Sequence, residues 1–382
     1  MSLIGRPLLL VLALLAVAAP VITYVLWSHV QGGVAVVVRG ALLLGCQLCA
    51  VLLVAVVAND YGYFYTSWSE LAGQDPGRSP AVSEAVAPHR KVHHDPVGVP
   101  SGLRVVGDST WSTPSQWATR GRVESVQLDG QRSGLGEHAF VYLPPQYFAT
   151  SWRHRLFPGV EVMTGYPGNE ESLVTRMHYP DQELEAVSAH RAEPMVLVML
   201  RPSVTEPRDT ECTDVPGGPQ AMTFFSEDVP VAVERALRVR PTGWGVMGDS
   251  TGGYCATKLA LMRSDVFTSA VSFSGYYHAL HDRTTGDLWG GSAIVREQND
   301  LLWRLGHVPE PPISLFASIA RGEGGPEGYA DTVRLQRAVS AGHGPLSLTL
   351  VVEPDGGHNF AAWSALMPRA FSWLSSRLQT WA

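Results

Sequence analysis

The segment Gly248-Asp249-Ser250-Thr251-Gly252-Gly253 constrains the fold more than any other part of the chain. It has the pattern G-x-S-x-G, which presents a serine in a sharp turn between a strand and a helix. Residues 244–247 are apolar enough for a short buried strand, and residues 254–263 are typical of a helix. A chain with 38 glycines can produce the pattern by chance, so the prediction rests on this context. A side chain at Gly248 or Gly252 would collide where the turn is tightest. The segment therefore predicts that Ser250 is a nucleophile.

From about residue 119 onward, segments typical of strands and of helices mostly alternate. The strand segments are 122–128, 138–143, 160–163, 195–200, 244–247, 267–273, 313–319 and 346–352. The helical segments are 224–239, 254–263, 329–340 and 361–378, and a polar loop is expected between the strands that end at 273 and begin at 313. The first two strands predict an antiparallel pair. The alternation predicts the α/β-hydrolase fold, a mostly parallel sheet with helices on both faces.

His358 has the setting that a base for Ser250 requires, because a serine hydroxyl is a weak nucleophile until its proton is taken. It follows the predicted strand 346–352 and a glycine-containing loop, and it lies at the carboxyl end of that strand. Catalytic groups gather at that edge in open α/β sheets. A surface or helix-capping histidine is the alternative. The other histidines downstream of Ser250 lack this setting: His278, His281, His307 and His343.

The carboxylate that orients the histidine is expected after the strand 313–319. Glu323 lies closest to the end of that strand and is the predicted acid, with Glu327 as the alternative. Asp331 falls in the following helix, and Asp282 follows an earlier strand. Each of these residues has a simpler interpretation as a solvated loop carboxylate.

An oxyanion hole requires backbone donors that are already in place when negative charge develops on the substrate. The first predicted donor is the N–H of Thr251, directly after the nucleophile. The second is expected in the loop Gly165-Tyr166-Pro167-Gly168, after the strand 160–163. Pro167 has no N–H, so Tyr166 is the predicted donor, and Gly165 belongs to the same predicted hole. A simple surface turn is the alternative for this loop.

Residues from about 119 to 382 resemble the esterase family that includes S-formylglutathione hydrolase (esterase D), enterochelin esterase and the mycobacterial mycolyltransferases. The segments that carry the resemblance are Tyr142–Tyr147, Thr164–Gly168, Gly248–Gly253, and Gly356–Asn359 followed by Trp363. The resemblance implies a Ser–Glu/Asp–His triad and acyl-ester chemistry that needs neither a metal nor another cofactor. Many relatives have His-Gly where this chain has Thr164-Gly165, which implies a difference in detail at the hole.

Two apolar runs near the N-terminus predict a hairpin of two transmembrane helices, a feature similar to membrane-tethered actinobacterial esterases. Residues 7–27 carry no charge and are long enough to cross a hydrocarbon core of about 30 Å. Residues 34–58 form the second run, interrupted only by Arg39 near its start, where the side chain can reach the interface. A cleaved signal peptide is the alternative for the first run. Tyr and Trp residues between 59 and 68 are typical of a membrane–water interface.

Charges near the two runs give a weak indication of membrane orientation. His29 and Arg39 lie in or near the connecting loop, whereas Asp60, Glu70 and Asp75 follow the second run, with no Lys or Arg before Arg78. The positive-inside rule then favours a cytoplasmic loop and an extracellular C-terminal domain, although Arg6 and the amino terminus oppose this. The predicted localisation is the cell membrane, with two spans.

Three regions follow from these patterns: transmembrane helices in residues 1–60, a juxtamembrane segment and linker in 61–118, and a catalytic domain in 119–382. Within the linker, His93-His94-Asp95 lacks a further ligand for a metal site. The pair Cys46 and Cys49 is interpreted as small apolar filler in a helix, and the four cysteines predict no disulfide framework.

A net charge of −7 with 16% charged residues and no basic cluster argues against a nucleic-acid partner. The predicted function is that of a membrane-anchored serine esterase or acyltransferase, acting on a small-molecule or lipid ester, such as a cell-envelope ester, through an acyl-serine intermediate. Two alternatives remain open: a non-enzymatic membrane protein that uses the fold for binding, and a serine hydrolase of another bond, such as a peptide. The sequence leaves the oligomeric state undetermined.

Overall fold

The computed structural model describes residues 6–62, 101–205, 208–325 and 327–378. The N-terminal helices and the sheet-containing part of the chain are separate compact units, and each is described by itself. The aromatic residues 63–68 of the predicted interfacial cluster, the predicted linker up to residue 100, and His93-His94-Asp95 lie outside the described residues.

The N-terminal unit consists of helix α1 (Arg6–Trp27) and helix α2 (Ala35–Gly62), close to the two predicted runs. The segments Leu8–Trp27, of 20 residues, and Ala35–Asn59, of 25 residues, are long and apolar enough to cross a membrane. The Arg39 guanidinium donates to the carbonyls of Trp27, at 2.9 Å, and Val30, at 3.0 Å. Carbonyls at a helix end lack intrahelical donors, so this contact satisfies the end of α1.

The second unit is built on a nine-stranded sheet with strand order β1-β2-β3-β5-β4-β6-β7-β8-β9. Its strands are β1 (Gly102–Asp108), β2 (Arg122–Asp129), β3 (Gly136–Leu143), β4 (Gly159–Met163), β5 (Val196–Leu200), β6 (Trp244–Asp249), β7 (Phe267–Phe273), β8 (Ser314–Ala320) and β9 (Ser347–Glu353). The sequence pattern does not predict strand β1, whose residues fall in the predicted linker. Because β1 pairs with β2, the sheet begins before the predicted domain start at residue 119.

The sheet is mostly parallel, as predicted. Strands β4 to β9 are joined by parallel pairing, whereas β1, β2 and β3 form an antiparallel extension that joins the rest through β5. Every residue of β4, β5 and β6 is buried. Strands that are buried on both faces consist of short continuous apolar runs in the sequence. For this reason the bounds of β4, β5 and β6 were predicted to within a few residues.

The helices agree with the prediction in three places and differ in others. The helices of at least seven residues in this unit are α3 (Tyr179–Ser188), α4 (Val229–Ala236), α5 (Thr251–Met262), α6 (Ala293–Asn299), α7 (Leu301–His307), α8 (Tyr329–Ala341) and α9 (Phe360–Leu378). Helices α6 and α7 occupy the region predicted as a polar loop. Each begins at a side-chain cap: Ser292 accepts from Val295 N–H at 3.3 Å, and Asp300 accepts from Trp303 N–H at 2.9 Å.

The helix predicted over 224–239 is irregular and ends earlier. The segment Phe224–Asp228 forms a π-helical turn, and α4 then ends at Ala236. A π turn adds one residue to a helical turn, a change that hydrophobic periodicity does not predict. Helix α3 was also missed in the sequence.

A disulfide joins Cys212 to Cys255, which corrects the expectation that the cysteines form no framework. Cys212 lies in the loop between β5 and β6, Cys255 lies in α5, and both are fully buried. The two residues are 43 positions apart, so their pairing follows from the fold and not from a local spacing. Cys46 and Cys49 in α2 are free cysteines, in agreement with their interpretation as filler.

Candidate active site

Ser250 lies in the turn between β6 and α5 with a backbone φ of 53° and ψ of −120°. Non-glycine residues adopt such positive φ values rarely, and in a strand-to-helix turn this conformation directs the serine side chain outward. The flanking glycines have the steric role that the sequence predicts. A Cβ atom at Gly248 would lie 2.5 Å from the backbone of Gly252, and one at Gly252 would collide with the carbonyl oxygen of Met163.

The structure brings Ser250, His358 and Glu323 together in one hydrogen-bonded chain. The Nε2 atom of His358 lies 2.9 Å from the Oγ atom of Ser250. Its Nδ1 atom lies 2.9 Å from the Oε2 atom of Glu323. This geometry allows the imidazole to take the serine proton on one side while the carboxylate stabilises the resulting imidazolium on the other. The His358 side chain is 49% exposed, so solvent and a substrate can reach the site.

Glu323 lies in a pocket that favours its charged form. Burial raises its pKa, but hydrogen bonds from His358, from Ala320 N–H at 2.9 Å and from the Ser274 hydroxyl at 2.7 Å outweigh that effect and hold the pKa below its usual value. Glu327, the alternative acid, is exposed, and its charge acts on His278 instead. Of the two candidate acids, Glu323 is therefore the one that contacts His358.

Ser274 and Trp363 form a second layer that the sequence analysis did not identify as functional. The Trp363 Nε1 atom donates to the Ser274 hydroxyl at 2.9 Å, and that hydroxyl donates to Glu323. The Trp363 ring also packs edge-on against the His358 ring, with centroids 5.0 Å apart. The sequence feature that could have identified Ser274 is its position directly after strand β7, at the sheet edge that carries Ser250.

The predicted oxyanion loop lies beside the nucleophile. Strand β4 pairs with β6, Met163 lies opposite Gly248, and residues 164–168 follow β4 directly. A Cβ atom at Gly165 would lie 2.8 Å from the Cβ atom of Ser250, which shows how closely the loop approaches the turn. Thr251 begins α5, so its N–H lies at the positive end of the helix dipole.

Gly165 differs from the prediction in one respect. Its N–H donates to the Oδ2 atom of Asp249 at 2.9 Å and is therefore not free to bind an oxyanion. The backbone amides of Thr251 and Tyr166 stay predictions for that role. The sequence does not predict the contact of Asp249 with this loop, because the G-x-S-x-G pattern leaves the position before the serine unspecified.

A buried polar cluster supports the start of α5. The Thr251 hydroxyl donates to Asp209 at 3.2 Å, and the Tyr276 hydroxyl donates to Glu211 at 2.7 Å. Lys258 of α5 donates to the carbonyl of Glu211, the residue before Cys212, at 2.9 Å. Burial raises the pKa of Asp209 to about 6 and of Glu211 to about 8, and it lowers the pKa of Lys258 to about 7. The disulfide and this cluster together hold the loop 208–215 against α5.

The sheet, the nucleophile turn and the Ser–His–Glu arrangement define the class of α/β-hydrolase folds that carry an activated serine. Residues 135–306 match the model of the family described as putative esterase. The family implied by the sequence motifs is thereby confirmed.

Comparison with individual proteins agrees with this assignment. An uncharacterized protein of Corynebacterium glutamicum is 21% identical over 256 residues, an alignment that covers 65% of this chain and 59% of that relative's length. S-formylglutathione hydrolase from Agrobacterium tumefaciens superposes with a TM-score of 0.60 and 15% identity, over 72% of this chain and 99% of that structure. A fluorophosphonate-binding serine hydrolase from Staphylococcus aureus superposes with a TM-score of 0.55 and 16% identity, over 67% of this chain and 98% of that structure. These two superpositions establish the α/β-hydrolase fold.

Proposed function

We propose that this protein is a serine carboxylic ester hydrolase in which Ser250 is the nucleophile, His358 the general acid–base and Glu323 the carboxylate that orients His358. The observation that carries the proposal is the pair of 2.9 Å hydrogen bonds that His358 makes with Ser250 and Glu323. The esterase family match supports the choice of an ester as substrate.

In the proposed reaction the Ser250 oxygen attacks the carbonyl carbon of the ester while His358 Nε2 takes the hydroxyl proton. The oxyanion of the tetrahedral intermediate accepts hydrogen bonds from the N–H groups of Thr251 and Tyr166. The C–O bond to the alcohol then breaks, and His358 returns the proton to the leaving alkoxide. Water, deprotonated by His358, attacks the acyl-Ser250, and the carboxylic acid leaves as the serine hydroxyl is restored.

A fluorophosphonate probe tests this assignment, because it phosphonylates only an activated serine. One structural neighbour carries fluorophosphonate binding in its name. Wild-type protein is expected to label and Ser250→Ala is not. Ser151→Ala is the control, since Ser151 is an exposed serine outside the site, and it should keep Ser250 reactive. Absence of labelling in the wild type refutes the proposal and favours a non-enzymatic binding role, whereas equal labelling of Ser250→Ala would place the reactive nucleophile at another residue.

The acyl acceptor and the substrate form a finer part of the proposal. A hydroxyl of a sugar or lipid in place of water would make the enzyme an acyltransferase with the same acyl-Ser250 intermediate. The two apolar helices support a lipid or cell-envelope ester, since a tethered enzyme meets such esters at raised local concentration. Esters of graded chain length, assayed with and without sugar acceptors, distinguish the cases. Release of free acid only, at a rate independent of acceptor, would exclude transfer.

We further propose that α1 and α2 anchor the protein in the membrane with the hydrolase domain on the extracellular side. The Cys212–Cys255 disulfide supports this side, because disulfides persist in oxidising compartments and are rare in the cytosol. Arg153 is exposed, so Arg153→Cys provides a site for a membrane-impermeant maleimide. Labelling in intact cells is expected; labelling only after lysis would place the domain in the cytoplasm.

A further inference from the structure

Asp249 is a buried carboxyl group between the nucleophile turn and the oxyanion loop. It is the last residue of β6, directly before Ser250, and only 1% of its surface is exposed. Its Oδ2 atom accepts the Gly165 N–H at 2.9 Å. Within the described part of the chain its Oδ1 atom has no hydrogen-bond partner, so the bond to Gly165 is its one fixed polar contact there.

The bond between Gly165 and Asp249 helps to fix the direction of the next backbone amide, the Tyr166 N–H. The Gly165 carbonyl accepts from Gly168 N–H at 2.8 Å, so both peptide groups that flank Gly165 are hydrogen-bonded. The Gly165 carbonyl and the Tyr166 N–H belong to the same planar peptide unit, so fixing one fixes the other. Without these bonds a glycine has wide conformational freedom, and the Tyr166 N–H would have no defined direction.

The surroundings of Asp249 favour the neutral carboxyl more than water does, and both the neutral and the charged form can accept the Gly165 N–H. The groups that face it are His358 and the Tyr179 hydroxyl. Burial raises its pKa to about 7, against the opposing effects of the Gly165 bond and His358. A permanent negative charge here would oppose the oxyanion that forms beside it, whereas a neutral carboxyl still accepts the Gly165 N–H.

We propose that Asp249 is a positioning residue that holds the 164–168 loop through Gly165, so that the Tyr166 N–H points to the oxyanion of the tetrahedral intermediate. The proposal rests on the ester-hydrolase function proposed above. Asp249 touches no reacting atom in this scheme; it acts through Gly165 on a transition-state contact. Its loss should therefore lower kcat and leave KM nearly unchanged.

Three variants test the role of Asp249. Asp249→Asn keeps an acceptor oxygen of the same reach and should retain kcat within about 3-fold. Asp249→Ala should lower kcat about 10- to 1000-fold, the range for loss of an oxyanion contact, with KM within about 2-fold. Asp249→Ser is polar but too short to reach Gly165. It replaces Asp249→Ala if the alanine variant does not fold, and the same loss of kcat is expected. Affinity for a boronic-acid transition-state analogue should fall together with kcat.

Glu183→Ala is the matched control, because Glu183 is also a fully buried carboxyl that accepts a backbone N–H, from Met195 at 2.9 Å. It should change thermal stability without lowering kcat of the folded enzyme. Equal kcat in folded Asp249→Ala or Asp249→Ser and the wild type overturns the proposal, as does an equal loss in Asp249→Asn. So does an equal kcat loss in Glu183→Ala. Failure of the wild type to label at Ser250 would instead refute the ester-hydrolase function itself.

Discussion

At the scale of single residues, the two candidate acids give a direct prediction. Glu323→Gln removes the charge that stabilises the His358 imidazolium, and kcat/KM should fall about 10²- to 10⁴-fold. Glu327→Gln is the control from the same loop and should stay within about 2-fold of the wild type. Steady-state hydrolysis of a chromogenic ester measures both. Equal losses in the two variants would show that the hydrogen bond between Glu323 and His358 does not account for the fall in kcat/KM.

Glu161 provides a prediction about pH and stability. It lies on the central strand β4, is fully buried, and neither carboxyl oxygen has a hydrogen-bond partner in the described structure. Burial raises its pKa well above the usual 4.5, so the folded protein holds the neutral form. The folding stability associated with neutral Glu161 is fully present below pH 4.5, and it is lost as the pH rises through the folded-state pKa.

Glu161→Met should therefore stabilise the protein more at pH 8 than at pH 5, by about 1–3 kcal/mol at the higher pH, because it removes a buried group without partners. Urea unfolding at both pH values measures the difference. The exposed Glu297→Met is the control and should show no such pH dependence. A stability gain independent of pH would mean that ionisation of Glu161 does not limit the wild type.

The functional residues could be predicted from sequence to different degrees. Ser250 and His358 were identified because each follows an apolar strand with glycines at the same edge of the sheet. Glu323 was preferred by its closeness to β8, but the choice over Glu327 required the side-chain contact. The sequence does not predict Asp249 and Ser274, because the contact of each is a hydrogen bond with a residue distant in sequence, which no local pattern reports.

At the scale of elements, the buried parallel strands were predicted most accurately, because two covered faces require a continuous apolar run. Strand β1 was missed because it is an edge strand with mostly exposed residues and lacks that signal. Helices α6 and α7 were missed because they are short and partly exposed, so side-chain caps define them more than an apolar face does. The disulfide was missed because its two cysteines meet only through packing.

That disulfide should be a large contribution to stability. Closing a loop of 43 residues removes unfolded-state entropy equivalent to about 4 kcal/mol at 25 °C in the chain-entropy model. The double variant Cys212→Ser, Cys255→Ser should lose stability of that order in urea unfolding, and dithiothreitol should produce a similar loss in the wild type. The double variant Cys46→Ser, Cys49→Ser is the control, since these cysteines are free. An unchanged midpoint under reduction would show that the bond is absent or without effect.

At the scale of the whole molecule, the main prediction concerns the N-terminal helices. If both span the membrane, the full-length chain of 41.3 kDa should stay in the membrane fraction after a carbonate wash. A cleaved signal sequence would instead release a shorter, soluble protein. Replacing Leu14 and Val17 of α1 with Arg should displace the chain from the membrane or prevent its insertion, because charges at the centre of a bilayer are costly. Exposed Arg104→Glu should leave the fractionation unchanged.

The contact between Met163 and Gly252 has a consequence for how the enzyme should lose activity. The nucleophile turn rests on the last residue of β4, and the oxyanion loop leaves that strand at the next position. The nucleophile turn and the oxyanion loop therefore depend on one pair of strands in the middle of the sheet, whereas Glu323 and His358 follow β8 and β9 at its edge. Proteins tend to open locally from their exposed edges before they unfold globally. Heating should thus release β1 while ester hydrolysis continues, whereas opening of the other edge strand, β9, should inactivate the enzyme because His358 follows that strand.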